Sequence, residues 1–90
     1  MSYYSESKKS IIDAEIIEIL NKTAFDSGSI KNEFKIKILN KNNEYTCVYW
    51  GQTGIETGDI VQLKLWKISE DFLLVDSILI IKKVNKKEKQ

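Results

Sequence analysis

Apolar and polar residues alternate most regularly over residues 33–39, EFKIKIL. Phe34, Ile36 and Ile38 fall on one side and Lys35 and Lys37 on the other, the period-two pattern of a strand with one buried face. The pattern returns over 60–68, IVQLKLWKI, where Val61, Leu63 and Leu65 stand opposite Gln62, Lys64 and Trp66. Residues 44–50, EYTCVYW, read as the return strand of a hairpin. The NKNN at 40–43 supplies its turn, because Asn tolerates left-handed backbone. Residues 72–82, FLLVDSILIIK, are apolar at nearly every position, which predicts a strand covered on both faces or placed where a barrel closes.

Residues 10–20, SIIDAEIIEIL, carry two patterns at once. Ile12, Ile16, Ile19 and Leu20 fit helical spacing, and Ser10 with Asp13 resembles a capping box. Five Ile in eleven residues favour a strand, provided a β-bulge absorbs the change of phase at Ile16–Ile17. We take the strand. Residues 21–32, NKTAFDSGSIKN, read as a long loop, 51–59 as a Gly-rich link too short for a full helix, and 69–71 as a turn. Residues 1–9 are expected to form a flexible leader and 84–90 a flexible basic tail, leaving one domain over 10–83. Five strands in so short a chain must shield their edges, and a small closed barrel does so.

Composition narrows the chemistry. At 90 residues and 42% hydrophobic, the chain can build one core but has no apolar residues to spare for a large enclosed cavity, which argues against a small-molecule substrate. There is no His and no Arg, so the commonest general base and metal ligand is missing. No pair of carboxylates has spacing that suggests acid–base catalysis, and Asp13, Glu15 and Glu18 read as a solvated edge. Neither an enzyme nor a cofactor is expected. The single Cys47 lies in an apolar strand and reads as a small buried hydrophobe. No run is apolar for long enough to span a bilayer, and the N-terminus does not read as a secretory signal. A soluble protein of a reducing intracellular compartment, cytoplasmic or nuclear, is the expectation.

Charge is uneven. Residues 1–50 hold seven Lys and seven acids, residues 51–80 two Lys and five acids, and residues 81–90 five Lys and one acid. A slightly acidic body with a basic end argues against binding nucleic acid by electrostatics alone. One local cluster stands out, Lys31, Lys35, Lys37 and Lys41 against only Glu33.

The stretch CVYWGQTGIETGD, Cys47 to Asp59, resembles the third-strand exit of archaeal-type single-stranded DNA-binding proteins built on one OB fold. There an aliphatic strand ends in Trp-Gly, and a Gly-polar pair opens the fourth strand. Trp66 falls within a residue of a second aromatic in that family. The resemblance covers about residues 10–82 and implies an all-β, five-stranded Greek-key OB barrel. This chain departs from the family in lacking Arg and in ending on a basic rather than an acidic tail.

On the family's phase, Tyr45, Cys47 and Tyr49 point inward, while Thr46, Val48 and Trp50 point outward. Lys64 and Trp66 on the fourth strand and Lys35 and Lys37 on the second also point outward. In an OB barrel such positions, with the flanking loops, form the nucleic-acid face. Indole rings stack on any base and Lys attracts phosphate as a point charge, whereas Arg, the best reader of guanine edges, is absent. The candidate binding residues are Trp50, Trp66, Lys35, Lys37, Thr46, Lys64 and Phe72. Each has an ordinary alternative. The tryptophans could pack a barrel rim, Phe72 fits the core better than a third platform, and the lysines could be a solvated strand face. Two functions follow. The first is sequence-tolerant binding of single-stranded DNA or RNA, with the resemblance favouring DNA. The second is a structural OB subunit that binds another protein in a nucleic-acid maintenance complex, as the acidic body and apolar last strand would suit.

Overall fold

A computed structural model describes residues 9–84; residues 1–8 of the expected leader 1–9 and residues 85–90 of the expected tail 84–90 lie outside the described residues. Five strands run in chain order: β1 (Ser10–Ala24), β2 (Ile30–Ile38), β3 (Glu44–Trp50), β4 (Ile60–Lys67) and β5 (Phe72–Lys82). They close into a barrel in the order β1-β2-β3-β5-β4, with β4 returning to β1. Every pairing is antiparallel except β3 with β5. This is the five-stranded Greek-key arrangement of an OB barrel.

Strand wins over helix in β1 because Ala14 and Ile16, two residues apart, both face the core, and a bulge then resets the phase. Ile16 pairs with Ile36 but Glu18 pairs with Lys35, so Ile17 is the extra residue. That is the position where the apolar spacing demanded it. A second shift between Ile19 and Asn21 bends the strand again.

The core is Ala14 and Ile16 from β1, Phe34 and Ile36 from β2, Cys47 from β3, Val61, Leu63 and Leu65 from β4, and Leu73 and Val75 from β5. β4 therefore buries all of its predicted face, and β2 buries Phe34 and Ile36 while Ile38 at its end is half-buried. Cys47 is fully buried, and burial pushes its thiol up to about 12. Native protein is expected to react with a thiol reagent no faster than it opens. Immediate stoichiometric labelling would contradict this packing.

Several expectations are corrected. Residues 21–32 are not one long loop. Asn21–Ala24 and Ile30–Asn32 are paired strand, and the turn is only Phe25–Ser29, closed by Gly28 N–H donating to the Phe25 carbonyl at 2.9 Å, with Gly28 at φ 97°. The paired segment projects as an arm with Asn21 to Ala24 exposed, so no buried face imposes alternation. Phe72 is not core. It lies on the outward phase opposite Thr46, while its neighbour Leu73 faces in. Val48, expected outward, does have that phase but is buried to 5% exposure, between Glu33 and Leu74. Of the two places expected for β5, it takes the one where the barrel closes, against β3, and is not covered on both faces, since Leu79 and Ile81 are 60% and 52% exposed.

The link from residue 51 to 59 contains no helix. Ile55 packs on the core, and Asp59, wholly buried, fastens the link's end. Its carboxylate accepts from the Glu56 amide, the Val84 amide and Lys83 Nζ, each at 2.8 Å. Val84 and Lys83 are thus tied to the body of the barrel. Gly58, at φ 99°, lies where an added Cβ would come within 2.9 Å of Val84, so the Gly-Asp pair opening β4 permits close backbone approach.

Candidate nucleic-acid interface

β3 leaves the barrel at Trp50, directly opposite Lys31 of β2. The exit is held by a buried side chain. Asn32 points inward and its amide donates to the carbonyls of Tyr49 at 3.0 Å and Gly51 at 2.7 Å. Gly51 N–H donates to the Ile30 carbonyl at 2.8 Å. Gly51 adopts φ 138°, and a Cβ there would sit 3.2 Å from the Tyr49 hydroxyl. The Trp-Gly pair is therefore a geometric requirement: glycine lets the chain turn while the preceding indole stays on the surface.

Trp50 is 50% exposed. Phe25, at the tip of the β1–β2 arm, stacks on it with ring centroids 5.8 Å apart and planes 27° apart. Lys31 Nζ lies 5.8 Å from the same indole centroid and 3.8 Å from Glu33. One exposed indole thus combines a second ring with a cation. On the opposite side of the arm, Lys22, Gln52, Thr53 and Gly54 line a polar hollow of about 420 Å³.

A second centre forms around Trp66. It lies half-buried on the outward face of β4, opposite Leu74 of β5. Lys9 Nζ stands 5.0 Å from its centroid and 3.3 Å from Asp76. The register joins the centres in one outward row, Glu33–Val48–Leu74–Trp66, with Trp50 two residues beyond Val48. At the usual strand spacing, Trp66 lies about 10 Å across the sheet from the Val48 position.

The neighbouring row is Lys35–Thr46–Phe72, so three further candidates adjoin one another. Their electrostatics are weaker than the sequence cluster suggests. Lys35 lies between Thr46 and Glu18, and Lys37 between Glu44 and Glu15. Lys64 is exposed between Ile11 and Ser77, two residues along β4 from Trp66. The structure thus brings together Lys35, Thr46 and Phe72 in one row, four residues along β3 from Trp50, reaches Trp66 through Leu74 with Lys64 two residues away, and leaves Lys37 at the margin.

No family model, curated protein or solved structure matches this chain. The surface itself is left to carry the functional reading. Among the described residues there is no group of three or more potential metal ligands, and no helix is long and apolar enough to cross a membrane. Sequence reasoning missed Phe25, Lys9 and the positioning residue Asn32. Phe25 had one signal, a lone aromatic within the polar stretch DSGS and its flanks. Asn32 had none, because its role depends on facing inward at a strand exit.

Proposed function

We propose that this barrel binds single-stranded nucleic acid with little sequence preference, through stacking on Trp50 and Trp66 supported by lysine. The carrying observation is the half-exposed Trp50, fixed by the Asn32 bonds and flanked by Phe25 and Lys31. An indole held in place on a surface offers a base a stacking partner that loses little entropy on binding. A strand running from Trp50 across Val48 and Leu74 reaches Trp66, where Lys9 supplies a second charge. Nothing on this path has the Arg or paired amide groups that read base edges.

Acidic neighbours dilute the lysines, so stacking is expected to outweigh phosphate attraction. With Lys31, Lys9, Lys35 and Lys64 as contacts, the log–log salt slope for a single strand should be below about 3, at about 0.7 per neutralised phosphate. Fluorescence anisotropy of a labelled oligothymidylate over a salt series reads this directly. Tight binding with a slope above about 4 would contradict the stacking surface and point to a basic contact elsewhere. No binding at low salt would refute the reading.

The alternative, a subunit docking on another protein, draws on a different surface. Leu79 and Ile81 are exposed on the part of β5 beyond its pairing with β3.

A further inference from the structure

Barrel closure protects only the first part of β5. Its pairing with β3 ends at Tyr49–Val75, whereas its pairing with β4 continues to Ile60–Lys82. Among the described residues, the strand from Asp76 to Lys82 therefore has a neighbour on one side only, and no other backbone hydrogen bond reaches its open side. An open edge normally carries charge or proline, or is short or bulged, because unpaired N–H and C=O groups recruit other strands. Here Ser77–Ile81 reads SILII, without a charge or a proline, and Leu79 and Ile81 are exposed. The two register shifts against β4 fall at Asp76 and Ile81, leaving Ser77–Ile80 regular between them.

The edge is also complementary to itself. In an antiparallel pairing centred on Leu79, paired positions sum to a constant. Asp76 then faces Lys82 of the partner subunit, Ile78 faces Ile80 of the partner subunit, and Leu79 meets Leu79 of the partner subunit. Twofold symmetry makes each unlike pair twice, so the segment's two charges meet across the seam, with Asp76 shared between Lys9 of its own chain, 3.3 Å away, and Lys82 of the partner subunit. A parallel pairing in register would instead set Asp76 against its own copy. We propose that this edge joins a second copy of the chain through antiparallel β5–β5 pairing centred on Leu79, extending the β4–β5 sheet across two barrels.

The proposal is independent of nucleic-acid binding and is tested without oligonucleotide. A seven-residue edge is small beside the roughly 800 Å² per partner of a standard interface, so the dimer should titrate with protein concentration. Sedimentation velocity over a micromolar-to-millimolar series should show monomer converting to dimer. Leu79→Lys should abolish the dimer, with circular dichroism reporting an intact barrel, since Leu79 is solvent-facing. Asp76→Lys alone and Lys82→Asp alone should each weaken association about tenfold by placing like charges opposite one another twice. The double exchange, Asp76→Lys with Lys82→Asp, should restore it. A monomer throughout the wild-type series overturns the proposal. So does a dimer that survives Leu79→Lys, or an exchange that fails to rescue.

Discussion

Replacing Trp50 by Ala is expected to weaken binding of single-stranded nucleic acid by about 1–3 kcal/mol, roughly the worth of one stacked base, while the barrel stays folded. Trp50 stands half exposed at the end of β3 and belongs to no part of the core, so its removal leaves no buried cavity. Trp50→Phe should keep part of the affinity, because a smaller ring still stacks. Phe25→Ala should lose less than Trp50→Ala, since Phe25 supports the indole from an arm that the β3 exit does not need. Trp66→Ala is expected to weaken binding too, and its half-buried contact with the Leu74 side makes it the variant whose stability must be measured alongside. Affinity unchanged in Trp50→Ala would remove the site.

The largest effect on stability is expected at Asp59. Its carboxylate is enclosed and accepts three hydrogen bonds that join the link to the end of β5. Asp59→Ala strands the amides of Glu56 and Val84 near the core, at a cost of about 2–5 kcal/mol. A domain of this size is commonly stable by only about 5–15 kcal/mol, so urea unfolding should shift strongly. Asp59→Asn does not repair the site, because its amide nitrogen would face a donor where an acceptor is required. Burial pushes the Asp59 carboxyl up, but the Lys83 ammonium and the amides of Val84 and Glu56 outweigh it and hold the group below the ordinary carboxylate value. The charged form is thus the one the fold stabilises. Its contribution is present above the unfolded carboxylate value of about 4 and is lost as pH falls through the lower folded value. Wild type should lose stability in acid, and Asp59→Ala should lose less over the same range. Parallel acid profiles for the two proteins would contradict the assignment.

Where a strand has one buried and one wet face, its pattern was readable. Phe34 and Ile36, and Val61, Leu63 and Leu65, were placed by alternation alone, and the break at Ile16–Ile17 announced a bulge. Three kinds of residue were not legible. The arm, Asn21–Ala24 with Ile30–Asn32, is held by backbone pairing outside the core, so its side chains carry no period. Phe72 and Val48 have outward phase yet differ in burial from what an isolated strand suggests, because β5 lies beside β3 in parallel register and supplies Leu74 next to Val48. The uniform apolarity of β5 suggested cover on both faces or a place where the barrel closes; the second holds, with closure onto β3 ending at Val75. At the candidate site, Trp50 and Trp66 were visible from phase. Phe25 and Lys9 were not, because they reach the indoles from a turn tip and from the residue just before β1, which sequence separation hides.

Stacking of bases on Trp50 and Trp66 can be read from the protein's own tryptophans. The chain has two, one at each proposed stacking centre, so intrinsic fluorescence reports on both without a label. Titration with oligothymidylate at low salt should quench the emission saturably. Moderate salt should shift the midpoint only modestly, and Trp50→Ala should remove a large part of the quench. A duplex of the same length should quench little, because its bases are already stacked. Emission unchanged by any single strand at low salt, from a protein shown to be folded, would contradict the account.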